Sequence, residues 1–158
     1  HPDHIGNLTT KAGDLTFPNA EIVFGRTDFD YWEKGENIPS FRPPTLKMFQ
    51  EVCLPLKDQA RYVEPGDDIV SGVTAVDSFG HSAGHMAYLI ESNGKQAMLL
   101  CDTVAHYVAS LQHPEWNFAM DDDPANADDG NGGDTLDPGC IMDIASPRIV
   151  HGNGYAGR

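Results

Sequence analysis

Apolar and polar positions in the first third of the chain mark out short, distinct elements. Glu21-Ile22-Val23-Phe24 follows the turn-forming pair Pro18-Asn19 and predicts a short strand. Thr27 then stands where a hydroxyl would cap a short aromatic helix running through Trp32. Pro43 and Pro44 open a second helix, in which Leu46, Phe49 and Cys53 recur at i, i+3 and i+7, and Pro55 ends it. Strand-like runs come next at Val73 to Val76, His85 to Ile90 and Gln96 to Cys101. The last two are joined by Ser92-Asn93-Gly94, a hairpin signal. Gln96-Ala97-Met98-Leu99-Leu100-Cys101 is apolar without alternation, which predicts a strand buried on both faces. The succession of helices and strands is that of an α/β unit without internal repeats.

Charge divides the chain. The 158 residues suit one globular domain or part of one, and they carry 24 Asp and Glu against 10 Lys and Arg, a net −14. Eight of the acids (Asp121, Asp122, Asp123, Asp128, Asp129, Asp134, Asp137 and Asp143) fall between Asn117 and Pro147, where no Lys or Arg occurs. With Gly130, Gly132 and Gly133 in the same stretch, residues 121 to 139 read as an exposed, poorly ordered loop. So large a negative charge repels phosphate backbones and anionic lipid, which argues against nucleic-acid or membrane-surface partners and leaves a small-molecule substrate. No run of about 18 apolar residues is present to form a membrane-spanning helix. Cys53, Cys101 and Cys140 are odd in number and far apart, against both a disulfide framework and a Cys-x-x-Cys site, and they leave the compartment open between cytoplasm and export. The chain begins at His1 with no leader pattern before it, and its start reads as cut.

The histidines carry the chemistry. His1-Pro2-Asp3-His4 packs two imidazoles and a carboxylate into four residues, the donor types that Zn²⁺ takes at about 2.0 to 2.2 Å. Pro2 holds the backbone before it extended, which spreads these side chains and lets one short loop feed two metals. A second element is Phe79-Gly80-His81-Ser82-Ala83-Gly84-His85, where small neighbours let backbone and metal approach closely. Asp102 stands after the last apolar strand, 21 residues beyond His81, and the hairpin between them returns the chain so that both lie at adjacent strand ends. An aspartate ending an apolar strand is costly unless something neutralises it, and a metal would.

His1-Pro2-Asp3-His4-Ile5-Gly6, Phe17-Pro18-Asn19-Ala20, Gly80-His81-Ser82-Ala83-Gly84-His85 and Leu99-Leu100-Cys101-Asp102, in that order, resemble the metallo-β-lactamase superfamily of hydrolases over roughly residues 1 to 127. Phe-Pro-Asn-Ala and the tract after Asp102 look more like its methyl-parathion-hydrolase and lactonase-like branch than its thiolesterases. The resemblance implies an αββα sandwich and a two-metal site. On the family's His-x-His-x-Asp-His motif, His1 matches the second histidine, Asp3 the aspartate and His4 the last histidine. His1 and His81 would then serve one zinc, Asp3 and His4 the other, with Asp102 bridging and His151 as the final ligand after Ile149-Val150. The resemblance makes His85 a partner supporting a metal-bound histidine, and the positions of His106 and Tyr107 just after Asp102 suit a substrate pocket.

The activity implied by the resemblance is that of a zinc-dependent hydrolase, which uses a metal-bound hydroxide on an ester, lactone, amide or phosphotriester, with Asp3 and Asp102 as the catalytic carboxylates. Two Zn²⁺ ions are expected, although His and Asp ligands also suit manganese, iron and cobalt. The sequence departs from the family pattern in several places. The motif's first histidine would lie two residues before His1, and the strands that precede the motif are missing, so residues 1 to 158 read as a single domain incomplete at its N-terminus. Cys101 stands where a Gly usually precedes the bridging Asp, crowding the site or offering a thiolate, and the tail lacks the family's Phe-Pro-rich turn. The competing reading is a non-catalytic, truncated metal-binding remnant, whose bare sheet face would drive homodimerisation. A third, a calcium-binding acidic module, fits poorly. No register of residues 121 to 134 places acids as an EF-hand requires, and Gly130 to Leu136 matches a single copy of a repeat that binds by stacking.

Overall fold

The computed structural model describes residues 1–104, 106, 108–113, 116, 118–122, 141–143 and 149–150. The chain packs as two compact units, His1–Tyr62 and Val63–Arg158.

The first unit opens with a single helical turn, α1 (Pro2–Ile5), in which Ile5 N–H donates to the His1 carbonyl at 3.1 Å and Gly6 N–H to the Pro2 carbonyl at 2.8 Å. Pro2 occupies the first helical position, where its missing N–H costs nothing, so Pro2 to Ile5 form a helical turn with His1 at its N-cap, in place of the short loop expected there. Strand β1 (Val23–Gly25) leads directly into α2 (Arg26–Lys34), whose N-cap is Gly25, which places Thr27 inside the first turn and not at the cap. Gly35 ends α2 at φ +64°, a left-handed conformation that glycine adopts without a Cβ penalty. Helix α3 (Pro43–Val52) begins on its proline pair, and Pro55 falls inside the 3-10 turn Leu54–Leu56 just beyond it. Strand β2 (Arg61–Val63) pairs with β1, and Arg61 N–H donates to the Ile22 carbonyl at 2.9 Å. The periodic positions Phe49 and Cys53 meet Phe29 and Trp32 of α2 in a buried cluster. The Phe29 ring lies 5.0 Å from Phe49 edge-on and 5.3 Å from Phe24, the offset geometry that aromatic quadrupoles favour.

The second unit is built on an antiparallel sheet of β3 (Asp68–Val70), β4 (Val73–Asp77), β5 (Met86–Ser92) and β6 (Lys95–Leu99), continued after the short helix α4 (Ala109–Gln112) by the strands β7 (Ile141–Asp143) and β8 (Ile149–Val150). The strands lie in chain order, each beside the next. Asn93 and Gly94, at φ +51° and +72°, close the β5–β6 hairpin where the sequence places it, with Ser92 opposite Lys95 and Tyr88 opposite Leu99.

Burial along this hairpin runs lengthwise. Met86 and Ala87 are buried while Glu91 and Ser92 are exposed; on the return, Lys95 and Gln96 are exposed, Ala97 to Leu99 half-buried and Leu100 buried. The run Gln96 to Cys101 is therefore not a strand buried on both faces. Its first residues sit at the solvated turn, and only its far end reaches the core of Ala87, Leu100 and Val104. Antiparallel pairing brings the end of β4, the start of β5 and the end of β6 to that same buried end, since Asp77 faces Met86 and Leu99 faces Tyr88. The turns carrying residues 78–85 and 101–103 emerge there. Among the described residues, no helix is long and apolar enough to cross a membrane.

Candidate functional site

The buried end of the hairpin holds the second unit's chemistry. Gly80, at φ +135°, turns the chain after β4 so that His81 and Ser82 become buried, and Gly80 N–H closes the turn on the Ser82 carbonyl at 3.0 Å. Past β6, the chain tightens into a 3-10 turn, Cys101–Thr103, secured by the Thr103 hydroxyl donating to the Leu100 carbonyl at 2.6 Å. Cys101 takes φ +51°, the left-handed region, which gives a backbone reason for the glycine expected at that position.

These two turns bring His81 and Asp102 together. His81 Nε2 lies 3.6 Å from Asp102 Oδ2, with the side chains 9% and 22% exposed. That separation is long for a hydrogen bond but close to the spacing of about 3.4 Å that two tetrahedral ligands keep around a common Zn²⁺. The donor set and its geometry fit a divalent metal. On its other side His81 Nδ1 is 2.9 Å from Asp121 Oδ1.

His85 stands next to both, its ring 5.6 Å from that of His81. Its Nε2 accepts the Asp102 backbone N–H at 3.1 Å, and because an amide can only donate, that nitrogen carries no proton. The hydrogen is therefore on Nδ1, 2.8 Å from Ser78 Oγ. His85 thus steadies the turn that presents Asp102, and its ring stands edge-on to His81. Burial pushes the Cys101 thiol up from its ordinary value, and the neighbouring Asp102 charge adds to this, so of the two alternatives the thiolate is disfavoured.

His1, Asp3 and His4 belong to the first unit. His1 caps α1, stands edge-on to Trp32 at 6.0 Å, and lines a cavity of about 70 Å³ with Ile5, Phe29, Trp32 and Phe49. Asp3 and His4 are exposed, with His4 Nε2 3.5 Å from Asp3 Oδ2. In the second unit His106 is exposed and its Nδ1 accepts the N–H groups of Val108 at 3.3 Å and Ala109 at 3.2 Å, so that nitrogen is engaged at the start of α4. Tyr107 and His151 lie outside the described residues.

Two residues of the expected acidic loop are described, and neither is exposed. Asp121, placed at the start of the exposed acidic loop, has a side chain only 8% exposed, and Asp122 is half-buried. Asp121 had no mark to separate it from Asp122 and Asp123, because its role depends on a histidine 40 residues earlier. Residues 123 to 139 of that loop, and the calcium reading attached to them, lie outside the described residues.

No protein-family model matches the sequence, and no curated protein does. Solved structures do match. The hydrolase AbOPH of the beta-lactamase superfamily superposes with a TM-score of 0.72 at 23% identity, over 82% of this chain and 47% of its own. AidC, a dizinc quorum-quenching lactonase in complex with a product, gives 0.71 at 25% identity over 81% and 47%. A probable metal-dependent hydrolase from Staphylococcus aureus gives 0.66 at 28% identity over 81% and 44%. The chain has the metallo-β-lactamase fold and spans less than half the length of each of these structures.

Proposed function

We propose that this chain carries ligands of a metal-dependent hydrolase centre acting on an ester, lactone, amide or phosphotriester, with lactones the first class to test. The observation that carries the proposal is the pairing of His81 Nε2 with Asp102 Oδ2 at 3.6 Å on the buried end of the hairpin. Support for hydrolysis comes from the fold, which a dizinc lactonase and a probable metal-dependent hydrolase share.

His81 and Asp102 would hold metal at the hairpin end; His1, Asp3 and His4 carry the donor types of the family's motif, and His151 would add the last ligand. Two Zn²⁺ ions fit this donor set, and other divalent transition metals compete for it. Bound there, such ions supply Lewis acidity, making hydroxide available at neutral pH and polarising the oxygen that gains charge. Asp102 would hold metal through its carboxylate, and His85 fixes its backbone by accepting its N–H. Asp3 would accept a hydrogen bond from the attacking water and so orient it. His106 and Tyr107 would contact substrate. No side-chain nucleophile is needed.

Elemental analysis after chelator-free purification, run with His81→Ala and a screen of lactones, β-lactams and phosphotriesters, tests the proposal. About two zinc ions per chain, fewer in the variant, together with metal-dependent turnover, is the expected result. Metal without turnover would favour the non-catalytic metal-binding reading, and a metal-free parent would overturn both.

A further inference from the structure

The geometry points to Asp121 as the positioning residue for His81, the group that sets which ring nitrogen of His81 is offered to a metal. The inference rests on the proposed metal centre and assigns to it a residue from outside the metal-ligand motifs.

Asp121 is a carboxylate removed from water, with its side chain 8% exposed. Such a group is retained only where hydrogen bonds replace its hydration. It has them on both oxygens. Oδ2 accepts the Phe118 N–H at 3.0 Å, and Oδ1 lies 2.9 Å from His81 Nδ1. An ionised carboxylate accepts and cannot donate, so the hydrogen of a neutral His81 ring resides on Nδ1. Nε2, the nitrogen 3.6 Å from Asp102, is left with its lone pair toward the other candidate ligand.

The main chain reinforces the arrangement. Asp121 N–H donates to the Phe118 carbonyl at 3.0 Å and closes a turn, and the next residue, Asp122, donates its N–H to the His81 carbonyl at 3.2 Å. The segment 118–122 therefore grips His81 by both ring and backbone. Carboxylate, imidazole and metal in series is the arrangement by which an outer partner fixes tautomer and ring angle and raises ligand basicity. Asp121 would touch neither metal nor substrate. It would act through His81.

Asn at this position separates the role from mere space-filling. Asp121 meets two donors, the Phe118 N–H and the His81 Nδ1–H, and an amide supplies only one acceptor oxygen. If the NH₂ faces His81, the ring's hydrogen moves to Nε2 and blocks the lone pair; if it faces Phe118, the Phe118 N–H loses its partner.

The test is Co²⁺ titration of the metal-free 158-residue chain and of Asp121→Asn, read by visible absorption, with far-UV circular dichroism of both metal-free forms. The expected result is a variant that keeps its metal-free fold, binds Co²⁺ about 10- to 100-fold more weakly, and shows shifted ligand-field bands at saturation. Asp121→Glu, which keeps two acceptor oxygens, should recover part of the affinity. Affinity within about twofold of the parent with an unchanged spectrum would overturn the role, as would loss of the metal-free fold, which would make Asp121 a folding residue. A parent that takes up no Co²⁺ overturns the proposed metal centre itself, and this inference with it. Parent uptake with unaltered variant uptake overturns the inference alone.

Discussion

His85 Nε2 accepts the backbone N–H of Asp102 at 3.1 Å, so an imidazole in the turn before β5 holds the turn after β6. His85→Ala leaves that partly buried N–H without this acceptor, a loss worth about 1 to 3 kcal/mol. Urea unfolding should show the second unit destabilised by that order, and amide exchange at Asp102 should accelerate at least about tenfold in native conditions, since a tenfold change in opening corresponds to about 1.4 kcal/mol. Unchanged exchange would mean that the hydrogen bond does not secure the turn.

Cys101 holds a left-handed φ of +51° immediately before Asp102. A side chain in that region costs about 1 to 2 kcal/mol, and glycine avoids the cost while losing some in unfolded-chain entropy. Cys101→Gly should leave the melting temperature equal or higher, whereas Cys101→Val, with its branched Cβ, should lower it by several degrees. Equal losses in both would show that thiol packing, not backbone strain, governs the position.

Cys53 lies in the aromatic cluster of the first unit, 2% exposed, and burial pushes its thiol up to about 11. In the unfolded chain the thiol ionises from its ordinary value of 9.0, while in the folded chain it stays protonated. Stability from this group is therefore complete below pH 9 and is lost as pH rises through about 11. Thermal melts from about pH 8 to 11 should fall less steeply for Cys53→Ala than for the parent. Labelling by a thiol reagent at about pH 8 should be slow at Cys53 until denaturant is added.

Gly72 joins β3 to β4 at φ +81°, and a Cβ there would stand 2.6 Å from the Glu91 carbonyl oxygen. That carbonyl belongs to rigid strand backbone, so Gly72→Ala forces either the turn or the start of β4 to move. A loss of about 2 kcal/mol or more in denaturant unfolding is expected. Gly94→Ala, where nothing lies within 4 Å of the added carbon, should cost less, since only its φ of +72° is strained.

The sequence by itself determined the elements whose causes are local. The proline pair and the i, i+3, i+7 spacing of Leu46, Phe49 and Cys53 specify α3, and Asn93-Gly94 specifies the hairpin turn, because proline geometry, helical period and positive φ act within a few residues. Hairpin pairing also made the approach of His81 to Asp102 legible, since antiparallel register returns the chain to its starting end. Tertiary structure decided the rest. Whether Gln96 to Cys101 is buried depends on how far the hairpin reaches into the core, and its exposed tip cannot be read from apolar residues alone. Pro2 is compatible with an extended chain or with a first helical turn, and the hydrogen bonds to the His1 carbonyl selected the helix. Asp121 is one of three consecutive aspartates with the same local chemistry. Only folding, by bringing it within 2.9 Å of a histidine 40 residues away, makes its carboxylate different from its neighbours'.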